Sequence, residues 1–200
     1  MIINGKTNCG KTEFVLDLIE TEYGDFFDRI VIFCPTFEYN SAYRRNWILK
    51  SDNVSIRNGV IPIDQDLPYM TGICKDKGNV LFLIDDHANS RYSHKKGTAL
   101  SNLAFSGRHL KISVWFITQK YNAVVKDFRE NTQMVVTFFD SNESSRKAFF
   151  EENSIVPKEE RNKLVQILKD NQYSKLVIRT KFPFQYSIIY GAHRRRVDTH

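Results

Sequence analysis

Eight residues near the start of the chain have the types and spacing that bind nucleotide phosphates. They read G-K-T-N-C-G-K-T and match G-x-x-x-x-G-K-[ST] at every fixed position. In such a loop the glycines allow the bend and the backbone N–H groups face the phosphates, while the lysine reaches the β and γ phosphates and the hydroxyl binds Mg²⁺. We therefore predict a site for Mg²⁺ and a nucleoside triphosphate, with ATP as the default. The predicted cofactor-binding residues are Gly5, Lys6, Thr7, Asn8, Cys9, Gly10, Lys11 and Thr12.

Two adjacent carboxylates, Asp85 and Asp86, follow the apolar run V-L-F-L-I at residues 80–84. The carboxyl end of a buried parallel strand lies beside the phosphate loop in an open α/β sheet. We predict that Asp85 binds Mg²⁺ together with Thr12, and that Asp86 activates or orients the water that attacks the γ-phosphate. The alternative is a strand end that simply faces solvent.

Cys9 lies inside the phosphate loop, next to Lys11 and the predicted start of a helix. Both neighbours favour the thiolate form, which would make this thiol reactive, but the interpretation that we favour is a small side chain tolerated in the loop. The chain has three cysteines, an odd number without metal-ligand spacing, and this indicates a reducing environment.

Apolar runs alternate with helical patterns along the chain, which predicts an α/β fold with a mainly parallel sheet and helices on both faces. The helix after Thr12 has an apolar face and a stop signal at Gly24. Residues 37–78 contain turn signals and a possible short helix near 64–75. The predicted strands are residues 1–3, 29–34, 80–84, 112–118 and 134–139, with helices at 97–106 and at about 143–169, broken near Pro157, and a C-terminal hairpin formed by 175–179 and 184–189.

Length and hydropathy predict one domain, residues 1–200, with 42% hydrophobic residues. We divide it into a core of about 1–140, C-terminal helices and the hairpin at about 141–192, and a basic tail at 193–200. No apolar run is long enough to span a bilayer and no signal peptide precedes the first strand, so we expect no membrane span and a cytosolic or nuclear protein.

Positive charge is concentrated in three clusters, at residues 44–45, 91–96 and 193–196, in a chain of net charge +6. Any one cluster alone is typical of a solvated surface. Three clusters on a chain with a nucleotide site favour a nucleic-acid partner.

Four stretches in this order resemble the FtsK and HerA superfamily of DNA-pumping ATPases. In particular they resemble its viral genome-packaging branch, which is typified by the poxvirus packaging ATPase and shared by large DNA viruses, virophages and polinton-type elements. The resemblance covers roughly the first 140 residues. The four stretches are N-G-K-T-N-C-G-K-T-E-F at 4–14, F-L-I-D-D at 82–86, S-G-R-H-L-K-I-S-V-W-F-I-T-Q at 106–119 and F-R-E-N at 128–131.

The resemblance implies a P-loop NTPase fold of the additional-strand type, with strand order 5-1-4-3-2 and the strand before Gln119 between the strands of the phosphate loop and of Asp85. Gln119 would then sense the γ-phosphate; the alternative is a glutamine that caps its strand. The resemblance also implies a ring of five or six subunits, in which an arginine of one subunit completes its neighbour's site. Arg108 is the first candidate for this finger and Arg129 the second, although either could be a surface or ion-pair arginine.

The function that the resemblance implies is a Mg²⁺-dependent ATPase motor that drives double-stranded DNA into a preformed viral capsid. Its partners would be the DNA, further copies of the chain and the capsid's portal or vertex proteins, at the assembly site in the cytoplasm or nucleus of an infected cell or in the virion. The segment 86–97 is the candidate pore loop. Its predicted DNA-binding residues are Arg91, His94, Lys95 and Lys96.

Three other functions are compatible with a phosphate loop. A helicase-like or conjugative DNA pump shares the same core. A small nucleoside or nucleotide kinase would need an arginine-rich lid, and none is recognisable in the sequence. A non-catalytic scaffold would bind ATP without turnover, and the presence of Asp86 and Gln119 argues against it.

Overall fold

The strands of the chain form one mixed sheet in a computed structural model that describes residues 1–85 and 99–191. The order across the sheet is β3-β2-β4-β5-β1-β6-β7-β8. All neighbours from β3 to β6 are parallel, and β7 and β8 are antiparallel. The strands are Ile2–Asn4 (β1), Arg29–Phe33 (β2), Val54–Arg57 (β3), Val80–Asp85 (β4), Ile112–Thr118 (β5), Met134–Phe138 (β6), Lys175–Arg179 (β7) and Gln185–Ile189 (β8).

The predicted strand order is confirmed. The five predicted core strands are β1, β2, β4, β5 and β6, and their order β6-β1-β5-β4-β2 is the order 5-1-4-3-2. Two features extend this core. β3 adds a parallel strand at one edge that the sequence did not predict, and the predicted C-terminal hairpin continues the same sheet at the other edge.

The helices begin and end close to the positions that the sequence signals. The first starts directly at the phosphate loop and ends just before Gly24, and Pro157 separates the last two, as predicted. In the described ranges 1–85 and 99–191, none of the helices has the length and apolar character to cross a bilayer. The helices are Lys11–Glu22 (α1), Asn46–Leu49 (α2), Ile63–Cys74 (α3), Ala99–Ser106 (α4), Lys126–Asn131 (α5), Glu143–Glu152 (α6) and Lys158–Asp170 (α7).

The core has two layers because successive side chains of a strand point to opposite faces of the sheet. On one face, Phe82 and Phe116 pack with α3, α4, α5, α6 and α7. On the other face, Leu83 and Ile117 pack with α1 and with the segment around Tyr43. The segment that follows β2 therefore lies beside the helix that follows the phosphate loop.

Arg45 ties this segment to α1. Its guanidinium lies 2.6 Å from Glu13, 2.8 Å from Asp17 and 2.7 Å from Glu20. These carboxylates lie on one face of the helix, because their spacing is close to whole helical turns. The side chain of Arg45 is only 16% exposed. Its charge is thus balanced within the chain, unlike that of a basic residue on a free surface.

Candidate nucleotide-binding site

The phosphate loop connects β1 to α1 and depends on glycine at its two fixed positions. Gly5 has φ 156° and Gly10 has φ 90°, values that other residues rarely adopt. A Cβ atom at Gly5 would lie 2.7 Å from the Cβ of Phe138 and 2.8 Å from the Sγ of Cys9. The loop therefore packs so closely against the end of β6 that only glycine fits at its first position.

Lys11 is the first residue of α1, and its ammonium turns back onto the loop. Its Nζ donates a hydrogen bond of 2.8 Å to the carbonyl of Lys6, and the residue is 9% exposed. The helix also directs the positive end of its dipole toward the loop. A buried ammonium, a helix N-terminus and a glycine loop together form a strongly anion-selective cradle.

Thr12 and Asp85 meet at the carboxyl end of β4. The Thr12 hydroxyl donates to Oδ2 of Asp85 at 3.0 Å, and Asp85 is 6% exposed. Hydroxyl and carboxylate oxygens are the hard ligands that Mg²⁺ prefers. The pair thus fits a magnesium site, and the assignment of both residues to the metal stays a prediction.

Tyr43 is a third member of this cluster, and the sequence did not predict it. Its hydroxyl donates to the same Oδ2 of Asp85 at 2.7 Å, and the residue is fully buried. Burial raises the pKa of Tyr43 well above its ordinary value, and the charge of Asp85 raises it further. The hydroxyl therefore stays protonated and remains a donor across the working pH range. The only sequence signal was an aromatic residue in the unassigned 37–78 region.

Cys9 lies in an apolar setting, which agrees with a small side chain packed into the loop and not with an activated thiolate. It is 7% exposed and packs in the same core layer as Phe138. Burial raises the pKa of the Cys9 thiol, and the opposing effect of the Lys11 ammonium, 3.8 Å away, is smaller. The loop folds its sulfur inward, and this could not be read from the neighbouring residues in the sequence.

Alkylation by iodoacetamide tests this interpretation of Cys9. We expect slow modification of Cys9 at pH 7 and a rate that rises about tenfold per pH unit toward the raised pKa, because only the thiolate reacts. ATP with Mg²⁺ should slow the reaction further. Peptide mass spectrometry compares Cys9 with Cys34 and Cys74, which are also free and buried. Rapid, complete modification of Cys9 at pH 7 with undiminished hydrolysis would contradict the assignment of the loop.

Gln119 follows β5 and is exposed at the carboxyl ends of the parallel strands, where the loop also lies. The preceding residue, Thr118, pairs with Asn4 of β1, and its carbonyl accepts a hydrogen bond of 3.3 Å from the N–H of Gly5. β5 lies between β1 and β4. Gln119 is thus placed between the loop and the strand of Asp85, and its role as a γ-phosphate sensor stays a prediction.

The two arginine candidates have different environments. Arg108 is exposed in the turn before β5, at the amino-terminal ends of the parallel strands, whereas the loop lies at their carboxyl ends. The length of β5, about 20 Å, separates that turn from the loop of the same chain. Arg129 instead forms a two-pronged ion pair with Glu152, at 2.7 and 2.8 Å, and its side chain is 10% exposed. It also donates to the carbonyl of Val124.

Several predicted site residues lie outside the described residues. These are Asp86 and the four candidate DNA-binding residues Arg91, His94, Lys95 and Lys96, together with the basic tail. Their assignments stay predictions. The described site consists of the loop, Thr12, Asp85 and Tyr43, with Gln119 at its side.

A parallel sheet with this strand order, a glycine loop leading into α1, and a hydroxyl paired with a carboxylate at the end of β4 define a P-loop NTPase fold. The model of one protein family, the poxvirus A32 proteins, matches residues 1–181 of this sequence. The chain belongs to the poxvirus A32 protein family. The resemblance to the viral packaging branch is thereby confirmed. No curated protein sequence is significantly similar to the chain.

Solved structures with the same fold include the genome packaging NTPase B204 of Sulfolobus turreted icosahedral virus 2 in complex with AMPPCP. It is 13% identical, with a TM-score of 0.71 over 96% of each chain. The DNA-packaging ATPase B204 of Sulfolobus turreted icosahedral virus is 14% identical, with a TM-score of 0.71 over 96% of this chain and 97% of that one. The pCW3 conjugation coupling protein TcpA is 11% identical, with a TM-score of 0.62 over 95% of this chain and 60% of that one. At these identities the likeness shows the fold alone.

Proposed function

We propose that the chain is a Mg²⁺-dependent ATPase that moves double-stranded DNA into a viral capsid. The observation that carries the proposal is the pairing of Thr12 with Asp85 beside the phosphate loop, in a member of the A32 family. Similarity to packaging NTPases over nearly the whole of both chains supports it. AMPPCP and ATP-gammaS in structures of B204 support ATP as the nucleotide.

In this proposal the described residues bind and orient the nucleotide. The loop N–H groups and Lys11 would hold the phosphates, and Thr12 and Asp85 would hold Mg²⁺, which would supply positive charge to offset that of the phosphates. Asp86 accepts a proton from the attacking water or orients it. Gln119 contacts the γ-phosphate region and reports whether that phosphate is present.

The DNA contact is assigned to the segment 86–97, which follows β4 directly. Asp85 ends β4, so the candidate pore loop begins at the residue that follows the predicted metal-binding carboxylate. Contacts between Arg91, His94, Lys95 and Lys96 and DNA phosphates would be independent of sequence. A closed ring of five or six subunits places these loops around a central duplex.

DNA-stimulated ATP hydrolysis tests this assignment. Neutralising Arg91, Lys95 and Lys96 together should weaken duplex binding at all sequences and reduce the log-log salt slope by up to about 0.9 for each DNA phosphate that these side chains no longer neutralise. Stimulation by DNA should fall, and the rate without DNA should persist, because the phosphate loop is unchanged. The measurement is duplex titration at several salt concentrations, paired with hydrolysis assays.

A matched control neutralises three exposed lysines that precede β4 and β5, at the amino-terminal ends of these strands and away from the loop: Lys75, Lys77 and Lys111. It changes the net charge equally and should leave the salt slope intact. A second comparison neutralises residues 194–196 of the tail. An unchanged slope in the 91, 95 and 96 variant, with a reduced slope in the tail variant, would contradict the pore-loop assignment.

We expect a homo-oligomeric ring, the capsid's portal or vertex proteins as docking partners, and an assembly site in the cytoplasm or nucleus of an infected cell. The likeness in fold to TcpA favours a conjugative DNA pump as the second candidate. Co-purification with capsid proteins from infected cells supports packaging, whereas binding to a conjugation apparatus supports the second candidate.

A further inference from the structure

A second buried hydrogen-bond donor acts on the predicted metal-binding carboxylate. Oδ2 of Asp85 accepts from the Thr12 hydroxyl at 3.0 Å and from the Tyr43 hydroxyl at 2.7 Å. Neutral hydroxyl donors to a buried carboxylate form strong, charge-assisted bonds. The shorter of the two comes from Tyr43, which lies 42 residues away in the sequence.

Tyr43 itself is held rigidly. It ends a short 3-10 turn, Ser41–Tyr43, which Asn40 caps by accepting a hydrogen bond of 3.1 Å from the N–H of Ala42 on its Oδ1. Its ring packs against Phe37, with 5.2 Å between the ring centroids. Two residues further on, Arg45 anchors the segment to α1 through its ion pairs. The hydroxyl is therefore fixed relative to the helix that carries Thr12.

A rigid donor on one oxygen fixes the rotation of the carboxylate about its Cβ–Cγ bond. The Thr12 hydroxyl would offer an oxygen lone pair to a bound cation, and the bond from Tyr43 would keep the Asp85 carboxylate in place beside it. Partners that orient metal-binding carboxylates in this way typically contribute 10-fold to 100-fold to metal affinity.

We propose that Tyr43 is a positioning residue, which holds the Asp85 carboxylate in the orientation that binds the divalent cation of the nucleotide complex. The inference rests on the proposed function, since it requires that Thr12 and Asp85 bind this cation. The segment after β2 thereby contributes to the nucleotide site. Its contribution is the side chain of Tyr43, which belongs to no sequence motif.

Mn²⁺ binding tests the proposal without relying on turnover. Electron paramagnetic resonance of Mn²⁺ with AMPPCP should show roughly 10-fold weaker cation binding to Tyr43→Phe than to the unchanged protein. Binding of AMPPCP without the cation should be the same in both. The matched control is Tyr186→Phe, which removes another hydroxyl that donates to a carboxylate, Glu160 at 2.8 Å, away from the loop. It should leave Mn²⁺ binding unchanged.

A second substitution separates positioning from packing. Placing 4-aminophenylalanine at residue 43 retains the ring and restores an N–H donor, so it should recover most of the lost Mn²⁺ affinity. Equal Mn²⁺ affinity, within twofold, in the folded Tyr43→Phe variant and the unchanged protein would overturn the inference, and so would a loss that the amino analogue does not repair. If the unchanged protein binds no AMPPCP with Mn²⁺, the proposed function itself fails, which is a different result.

Discussion

Replacement of Lys11 by alanine is expected to abolish nucleotide binding at micromolar concentrations and to lower ATP hydrolysis by at least about 10³-fold. The ammonium is buried against the loop backbone, 2.8 Å from the carbonyl of Lys6, and its charge is directed at the phosphate cradle. Titration with a fluorescent ATP analogue and steady-state hydrolysis measure the two effects. The matched control is Lys126→Ala, which removes an exposed lysine outside the site and should change neither quantity.

Asp86→Ala is expected to give the complementary result. This variant should bind ATP with nearly unchanged affinity and fail to hydrolyse it, because the phosphate grip is intact and only the activation of water is removed. Near-normal hydrolysis by Asp86→Ala would remove this residue from the catalytic set. Loss of ATP binding in both variants would instead place Asp86 with the metal-binding residues.

Arg108→Ala is expected to lower ATP hydrolysis by about 10³-fold, while the isolated subunit keeps its nucleotide affinity. The reason is distance, because Arg108 precedes β5 and lies at the opposite ends of the strands from its own phosphate loop, so the proposed finger would act in a neighbour's site. Arg129→Ala is the informative comparison. Its guanidinium is held by Glu152, so its loss should lower the free energy of unfolding by roughly 2 kcal/mol, measured by denaturant titration.

Mixed rings test whether the arginine acts between subunits. Inactive Arg108→Ala and Lys11→Ala subunits, once mixed, should regain activity at interfaces that join an intact loop to an intact arginine. Native mass spectrometry verifies that the rings contain both variants. No recovery of hydrolysis in verified mixed rings would contradict the assignment of Arg108 to a neighbour's site.

The phosphate site could be predicted because its chemistry is local in sequence. Gly5, Gly10, Lys11 and Thr12 act through one continuous loop, and the backbone bend that they need is set by residue type. Asp85 could be predicted for a related reason. A continuous apolar run marks a strand buried on both faces. The carboxyl ends of parallel strands lie side by side, and the phosphate loop lies at these ends.

The edge strand β3 was not predicted because its four residues are all only half-buried and carry no long apolar run. Such short edge strands acquire their conformation from the neighbouring strand, here β2, instead of from their own pattern. The buried environment of Cys9 could not be predicted in detail for a similar reason. Its charged neighbours are visible in the sequence, but the apolar surroundings that raise its pKa come from distant elements such as Phe138 of β6.

The sequence by itself determined the phosphate loop, the strand that ends at Asp85 and the alternation of strands and helices, since each depends on residues that are close in the chain. Only the tertiary structure decided that Tyr43 donates to Asp85 and that Arg129 is paired with Glu152. These contacts join residues that no motif connects, because a side chain's partner depends on how helices and strands pack. Folding brings the segment after β2 onto the face of the sheet that carries α1, and this packing adds Tyr43 to the site.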